Sequence, residues 1–220
     1  MTDAVVQSVP ESRAATVQLP RSLRPSEPTL HAIDMNAPQH RAEAAVAELL
    51  TALGRDVTSE HLADTPRRVA ASLLEMLTPR EFAMTTFPND ESYEELVLVR
   101  DIPFHSLCEH HLLPFRGVAH VGYVPGDRLV GLSKLARVVE LFASDLQVQE
   151  RLTQQISRYL TDELAPRGVG VVLEAEHLCM TMRGAQAAGS KTTTTAFTGV
   201  LAKDNAMRRQ FRLAGADLPA

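Results

Sequence analysis

The sequence predicts an α+β fold. Two observations support this prediction: four segments place apolar residues at the spacing of an amphipathic helix, and four others are rich in β-forming residues and bounded by turn signals. The chain has 220 residues, of which 45% are hydrophobic, so it can bury a substantial core. We expect one domain over residues 36–220, preceded by a disordered arm over residues 1–35 that mixes proline, serine, threonine and arginine without periodicity.

Two helices are predicted at the start of the domain. The first begins at His40 and stops at Gly54, with apolar residues at helical spacing between them. The second opens with Thr65 as its N-cap and Pro66 as its first helical residue, and Pro79 ends it. We expect its apolar residues to point inward; these are Val69, Leu73, Leu74 and Leu77.

Four main strands are predicted after residue 94. They are Glu95–Ile102, Phe115–Val124, Val169–Glu176 and Thr192–Leu201. The turn signal Pro125-Gly126-Asp127 leads into a short strand, Arg128–Gly131, which we expect to form a hairpin with the strand before it. Residues 80–93 are expected to form a loop. The pattern of the third strand continues through His177 and Cys179, which would share one face because residues two apart in a strand point the same way.

An amphipathic helix is predicted to begin with Ser133 as its N-cap. Its apolar stripe consists of Leu135, Val138, Val139 and Phe142. Lys134 and Arg137 lie on one face, and the amides of a helix N-terminus attract anions, which together suggest a phosphate site. These residues alone nevertheless favour a solvated basic face.

A further helix is predicted over Val148–Leu164. Its buried positions are Leu152, Ile156, Leu160 and Leu164. Gln149 and Glu150 lie in its first turn, where a carboxylate is an ordinary partner of the helix dipole. Local sequence therefore assigns no function to Glu150.

Both cysteines of the chain lie within three residues of a histidine. Cys108 and His111 have C-x-x-H spacing, and His177 precedes Cys179 by two residues. Thiolate sulfur and imidazole nitrogen are the ligands that zinc prefers, and three protein ligands plus a water are typical of catalytic zinc. Two cysteines are too few for a structural site of three or four thiolates, so we predict an open site with Cys108, His111 and Cys179. The alternative is that both cysteines are small buried hydrophobic residues.

The net charge of −5 at pH 7 argues against a general nucleic-acid-binding protein. The sequence contains no apolar run of about 20 residues, the length of a membrane span. Nor does it begin with the pattern of a signal peptide. We expect a cytoplasmic protein without membrane or nucleic-acid partners, in a compartment that keeps both thiols reduced.

Five segments of the chain resemble GTP cyclohydrolase I. They are CEHHLLPF (108–115), GLSKLARVVELFA (131–143), LQVQERLTQQI (146–156), HLCMTMRG (177–184) and SKTTTTA (190–196). They occur in the order of the family, and the resemblance extends over residues 40–213. It implies hydrolysis of GTP at guanine carbon 8, with ring opening, formate release and rearrangement to 7,8-dihydroneopterin triphosphate, the first step of folate and pterin biosynthesis. It also implies one zinc ion per subunit.

The resemblance assigns chemical roles to residues around the cysteines. Cys108, His111 and Cys179 match the zinc ligands of the family. His110 and His177 match two proton-transfer histidines, a role that suits a ring with a pKa near neutrality. We expect His110 to diverge from His111, because adjacent side chains in extended backbone point apart. We expect His177 to stand beside the metal without binding it.

The resemblance also implies a set of substrate-binding residues. Glu150 matches the carboxylate that accepts hydrogen bonds from guanine N1–H and the 2-amino group, a contact that distinguishes guanine from adenine. Gln149 is a neighbouring candidate. The residues that match the surroundings of the triphosphate are Ser133, Lys134, Arg137 and Arg183, with Arg68 as a further candidate.

The fold implied by the resemblance is the tunnelling fold. Each subunit would contribute a four-stranded antiparallel sheet with helices on one side, N-terminal helices at 40–78 and a catalytic part at 94–213. Ten subunits would assemble as two face-to-face pentameric rings with active sites between subunits. This assembly answers a physical need, because the predicted strands cannot close a barrel alone and open edges invite pairing.

Two other functions compete with this interpretation. A catalytically silent zinc-binding scaffold would be expected to lose Glu150, His110 or His177 first, and all three are present. A sister enzyme of the same fold, such as a pterin synthase or a nitrile reductase of deazaguanine metabolism, does not explain the segments CEHH and HLCM together.

Overall fold

The structure, a computed structural model, describes residues 15–16 and 36–213. The strands are β1 (Ala15–Thr16), β2 (Ala83–Met84), β3 (Thr86–Pro88), β4 (Val97–Cys108), β5 (Pro114–Val124), β6 (Arg128–Val130), β7 (Leu146–Gln147), β8 (Gly168–His177) and β9 (Thr192–Phe197). The helices are α1 (Asn36–Ala52), α2 (Thr65–Met76), α3 (Leu132–Ala143), α4 (Gln149–Leu164), α5 (Leu178–Thr181), α6 (Gly199–Lys203) and α7 (Asn205–Leu213). The predicted disordered arm, residues 1–35, lies outside the described residues apart from β1.

A five-stranded sheet in the order β7-β4-β5-β8-β9 carries the fold. β4, β5, β8 and β9 are successive antiparallel neighbours, which confirms the α+β class and the four antiparallel strands. β7 adds a short parallel pair at the end of β4, where Cys108 pairs with Gln147. In the register between β5 and β8, Phe115 lies directly opposite His177. The sheet thus gathers the ends of β4 and β8 and the start of β5 at one place.

Helices α3 and α4 cover one face of the sheet. Their apolar stripes are buried as predicted: Leu135, Val138, Val139 and Phe142 in α3, and Leu152, Ile156, Leu160 and Leu164 in α4. Full burial of each such side chain stabilises the fold by roughly 1.5–3 kcal/mol. The opposite face is also covered at one end, where Val124 and Val172 pack against Leu201 of α6 and Phe211 of α7. The expectation of helices on one side only is therefore wrong at this end of the sheet.

The predicted hairpin between β5 and β6 is wrong, because β6 pairs with β3. Both edges of β5 are already occupied at its end: Tyr123 pairs with Val97 on β4 and with Val169 on β8. The chain must therefore leave the sheet after Val124. The segment 80–93, predicted as a loop, contains the two short strands β2 and β3, and β3 supplies the partner of β6.

Helices α1 and α2 pack against each other. Two of the α2 side chains predicted to point inward, Val69 and Leu74, are each 37% exposed, so that part of the prediction is wrong. Leu49 and Leu53 of α1 are 57% and 64% exposed. This helix pair leaves an apolar surface uncovered within the described part of the chain.

Two predicted helix caps are displaced. The N-cap of α2 is Asp64, and Thr65 is the first helical residue. The N-cap of α3 is Gly131, and Ser133 lies inside the first turn, so its side chain is exposed rather than used as a cap. Within the described ranges, none of the helices has the length and apolar character needed to cross a membrane.

Two glycines allow backbone segments to approach closely. A Cβ atom at Gly117 of β5 would lie 1.8 Å from the carbonyl oxygen of Glu174 on β8. Gly199 has a φ of +55°, and a Cβ there would lie 2.0 Å from the carbonyl oxygen of Arg167. The turn at Gly199 begins α6, which is why β9 stops at Phe197 and does not run on to residue 201 as predicted.

Candidate metal centre and active site

The two cysteines of the chain meet at one end of the sheet. Cys108 is the last residue of β4, and Cys179 lies in the short helix α5 that follows β8. Their Sγ atoms are 3.9 Å apart, and both side chains are buried, at 5% and 9% exposure. Burial and the adjacent Cys108 sulfur raise the pKa of the Cys179 thiol, while the charge of Arg183 acts in the opposite direction.

A tight turn between β4 and β5 aims two histidines at Cys108. The Cys108 amide donates to the Leu113 carbonyl at 2.8 Å, and its own carbonyl accepts from the amides of His111 and Leu112. Leu112 has a φ of +54°, which closes the turn. The Nδ1 atoms of His110 and His111 lie 4.0 Å and 3.7 Å from Cys108 Sγ. The two rings diverge less than expected, with centroids 6.2 Å apart, because the backbone here is a turn and not an extended strand. That His110 does not bind the same ion as His111 stays a prediction.

His177 stands at the end of β8, beside both sulfurs. One of its ring nitrogens lies within 4.8 Å of the sulfur atoms of Cys108 and Cys179. The predicted continuation of the strand to Cys179 is wrong, since β8 ends at His177 and a helical turn follows. That turn folds back over the end of the sheet, which places Cys179 near His177 without a shared strand face. Burial lowers the pKa of His177, and the negative charge of Glu150 partly offsets this shift.

The distances within this cluster fit a zinc ion. Two zinc–sulfur bonds of about 2.3 Å at a tetrahedral angle separate the sulfurs by about 3.8 Å, and one sulfur and one nitrogen ligand by about 3.6 Å. The observed separations are 3.9 Å between Cys108 and Cys179 and 3.7 Å between Cys108 and His111 Nδ1. Cys108, Cys179 and His177 form the group of three ligand atoms within 4.8 Å of one another, and His111 lies outside that group. Both His111 and His177 are therefore candidates for the third ligand.

The first turn of α4 brings two predicted residues next to His177. Glu150 is exposed, and its charge acts on His177. Gln149 is 1% exposed, and its Oε1 lies 2.8 Å from His177 Nε2. The carboxylate of Glu150 is thus free to meet a ligand, whereas the Gln149 side chain points into the protein.

Two of the residues predicted around a triphosphate, Ser133 and Arg137, occupy a different surface. Ser133 and Arg137 line a groove of about 1070 Å³, and Arg116 and Lys191 are also among its lining residues. Of the described residues that line this groove, none belongs to the cysteine cluster. Lys134 extends over the ring of Phe82, 5.8 Å from its centroid. Within one chain, the groove and the cysteine cluster are separate.

Two predicted arginines have different surroundings. Arg183 lies close enough to Cys179 for its charge to oppose the rise in the pKa of that thiol. The Nη2 atom of Arg68 lies 3.2 Å from Asp64 Oδ2 in an exposed ion pair on α2. The structure brings Arg183 to the cysteine cluster and leaves Arg68 in neither the cluster nor the groove.

Sequence reasoning missed two residues that shape the site. Phe115 stacks on His177 with ring centroids 4.5 Å apart. Knowledge of the register between β5 and β8 would have predicted this contact. Arg151 of α4 forms an ion pair with Glu109 of the histidine turn at 2.6 Å, and its Nε donates to Gln147 Oε1 at 3.1 Å. These contacts connect the histidine turn to the start of α4. They depend on the pairing of β4 with β7, which no local sequence pattern predicts.

Comparisons with known proteins identify one family over most of the chain. The family model for GTP cyclohydrolase I matches residues 42–214. GTP cyclohydrolase 1 of Mycolicibacterium gilvum is 55% identical over 179 residues, which cover 78% of this chain and 88% of that protein. GTP cyclohydrolase 1 of Mycobacteroides abscessus is 53% identical over 190 residues, covering 83% of this chain and 90% of that protein. The apo archaeosine synthase QueF-Like structure aligns with 47% of this chain and 93% of its own, at 15% identity and a TM-score of 0.40.

Proposed function

The chain belongs to the GTP cyclohydrolase I family, and from this membership we propose that it hydrolyses GTP at guanine carbon 8 in a zinc-dependent reaction. One GTP and one water yield one formate and, after ring opening and rearrangement, one 7,8-dihydroneopterin triphosphate. This would be the first step of folate or pterin biosynthesis. The observation that carries the proposal is the pair of buried thiols 3.9 Å apart, with His177 beside them and Glu150 close enough for its charge to act on His177.

Cys108, Cys179 and His111 would hold the zinc ion. When bound, zinc supplies the Lewis acidity that makes a water molecule nucleophilic near neutral pH. The short turn after Cys108 holds His111 Nδ1 at a distance from Cys108 Sγ that suits two ligands of one zinc ion. His177 would then be left for proton transfer. Its position within 4.8 Å of both sulfurs also makes it a second candidate for the third ligand.

His110 and His177 would move protons during ring opening and ring closure. An imidazole exchanges protons readily near its ordinary pKa of about 6.5. Burial lowers the pKa of His177 and so favours its neutral form, which suits a proton acceptor. His110 is exposed on the turn beside Cys108, where it can meet a substrate and exchange protons with water.

Glu150 would recognise the guanine base. Its exposed carboxylate can accept hydrogen bonds from N1–H and the 2-amino group, whereas adenine lacks both donors in that arrangement. The position of Glu150 in the first turn of α4, next to the residue that contacts His177, supports a base held beside the metal centre.

The triphosphate would lie against the basic residues, which favours an active site shared between subunits. Ser133 and Arg137 line a groove that is separate from the cysteine cluster in one chain, whereas Arg183 lies at the cluster. The metal centre of one subunit facing the groove of its neighbour would bring all three residues to one substrate. Lys134 would join them if it left Phe82, and Arg68 if it left Asp64.

A homo-oligomer, which family membership suggests is a decamer, would meet this requirement. In the described residues, β9 pairs only with β8, and β4 pairs along most of its length only with β5, so both edges can accept strands of other subunits. The exposed apolar side chains of α1 and α2 offer a further surface for burial. We place the reaction in the cytoplasm, because two metal-binding thiols need a reducing compartment.

The test is to incubate zinc-quantified protein with GTP and to follow formate together with the fluorescence of the oxidised pterin product. Formate and neopterin triphosphate in equal amounts are the expected result. Zinc-loaded protein that releases neither product would refute the proposal and favour a silent scaffold. Formate without pterin would refute the rearrangement and leave ring opening as the activity. Light scattering on the same sample measures the oligomer.

A further inference from the structure

The side chain of Gln149 is fully engaged inside the protein. Its Nε2 atom lies 3.1 Å from the carbonyl oxygen of Leu173 and 2.9 Å from that of Thr192, and it also contacts Thr194 Oγ1 at 3.2 Å. Its Oε1 atom lies 2.8 Å from His177 Nε2. At 1% exposure, this amide has no surface left for a substrate.

The orientation of the amide follows from its partners. Backbone carbonyl oxygens only accept hydrogen bonds, so the group that faces Leu173 and Thr192 must be the NH₂ end of Gln149. The oxygen end must then face His177. An amide oxygen only accepts, so the His177 nitrogen that contacts it must carry a hydrogen. In a neutral imidazole, the hydrogen on Nε2 leaves Nδ1 with the free lone pair.

A second contact sets the plane of the same ring. The rings of His177 and Phe115 are parallel to within 2°, with centroids 4.5 Å apart. Phe115 is fully buried and lies opposite His177 in the β5–β8 register. Rotation of the imidazole out of this plane would lose the stacking contact and the Gln149 hydrogen bond together. The ring is therefore constrained both in its plane and in the choice of its protonated nitrogen.

We propose that Gln149 is a positioning residue that keeps a hydrogen on His177 Nε2, so that Nδ1 is the nitrogen available to the reaction. This role replaces the substrate contact expected for Gln149 from the sequence. The inference deepens the proposed function and rests on it, because it assigns the reactive atom of a histidine in that mechanism. The tautomer itself is a property of the protein without substrate.

The first measurement is made on the unaltered protein. Zinc-loaded protein with ¹⁵N-labelled histidine is sedimented and studied by solid-state NMR at pH 8, where an ordinary imidazole is neutral. The His177 signals are identified by their loss in the variant His177→Gln. We expect His177 to carry its hydrogen on Nε2. A hydrogen on Nδ1 would overturn the proposal, whatever the outcome of the turnover assay.

The second measurement compares two variants of the same hydrogen-bond network. Gln149→Met removes the acceptor of His177 at similar volume. Thr194→Val removes another partner of Gln149, but leaves the two carbonyl oxygens that orient the amide. We expect Gln149→Met to lose the fixed Nε2 hydrogen and to lower kcat by about 10- to 100-fold, as removal of an outer hydrogen-bond partner commonly does. KM for GTP and the zinc content should stay near their original values, and Thr194→Val should keep both kcat and the tautomer.

Other outcomes of this comparison count against the proposal. A rise in KM with unchanged kcat in Gln149→Met would mean that Gln149 binds substrate. Retention of both kcat and the Nε2 hydrogen would mean that Gln149 does not position the ring. If Gln149→Met does not fold, a hydrogen on Nδ1 of His177 in the unaltered protein still overturns the proposal. If the unaltered protein does not convert GTP, the proposed function fails while the NMR result still tests the role of Gln149.

Discussion

His177 lies flat against Phe115, with the two rings parallel to within 2° and their centroids 4.5 Å apart. Phe115 is also in edge contact with Phe104, at a centroid distance of 6.1 Å. The aromatic core of the sheet therefore extends to the candidate catalytic histidine. This continuity links the packing of β5 to the geometry of the site.

Phe115→Leu should impair activity more than its effect on stability explains. We expect a loss of about 1–2 kcal/mol in the free energy of unfolding. We also expect kcat to fall by about tenfold or more, because His177 would no longer be held in one plane. Urea unfolding and formate release measure the two effects. Phe104→Leu is the matched control: it should lose similar stability with a smaller change in kcat, and equal losses of kcat in both variants would contradict the prediction.

Zinc retention should separate the two candidate third ligands. Cys108→Ala and Cys179→Ala are expected to retain less than about 0.1 zinc per subunit, because each removes a thiolate ligand. His111→Ala should also lose zinc, whereas His177→Ala should keep zinc and lose formate release. Metal analysis after gel filtration checks each variant. If His177→Ala lost zinc and His111→Ala retained it, His177 would be the third zinc ligand and His111 would not.

Glu150→Gln should weaken GTP binding by about 10- to 100-fold, because an amide cannot replace a charged acceptor for both guanine donors. Zinc content should not change. Equilibrium binding of GTP to the zinc-loaded protein measures the effect. Glu163→Gln, an exposed position on the same helix, is the control and should bind GTP normally. Unaltered affinity in Glu150→Gln would reject the role of this carboxylate in base recognition.

His120 should make the stability of the fold depend on pH. Its Nδ1 accepts a hydrogen bond from the Asp101 amide at 3.2 Å, which requires that nitrogen to be unprotonated. Burial lowers the pKa of His120; the nearby Asp101 and Glu174 charges act against this shift, and Arg100 acts with it. Because the unfolded chain then binds the proton more tightly, the contribution is complete above about pH 6.5 and is lost as the pH falls from there towards the lowered pKa.

Urea unfolding of the unaltered protein and of His120→Gln between pH 5 and 8 tests this dependence. The unaltered protein should lose more stability over the acidic part of the range than the variant, which has no imidazole at this position. The register of β4 with β5 shifts between Val99 and Ile102, and Asp101 within this irregularity has a φ of +55°. This part of β4 should loosen at the same time. Parallel pH profiles for the two proteins would show that His120 does not contribute.

Elements with local signals could be predicted from the amino-acid sequence. The stripes of α3 and α4 were predicted because one helix face repeats every 3.6 residues, whatever lies opposite. The spacing in the sequence likewise indicated that Cys108 and the histidine three residues later could act together. The resemblance of five ordered segments to one family was also evident from the sequence. The role of Glu150 came only from that resemblance, which also favoured a phosphate site at Lys134 and Arg137 over a solvated basic face; these roles stay predictions.

Tertiary structure alone decided how distant segments meet. The partner of β6 was mispredicted because both edges of β5 were taken by strands that no local pattern could reveal. The contact of Phe115 with His177 depends on the register of β5 with β8, and the contact of Gln149 with His177 depends on the packing of α4 over the sheet. Strand register and helix packing are set by burial summed over the whole core, not by neighbouring residues. For that reason the ligand types could be named from the chain, but the atom that each histidine presents could not.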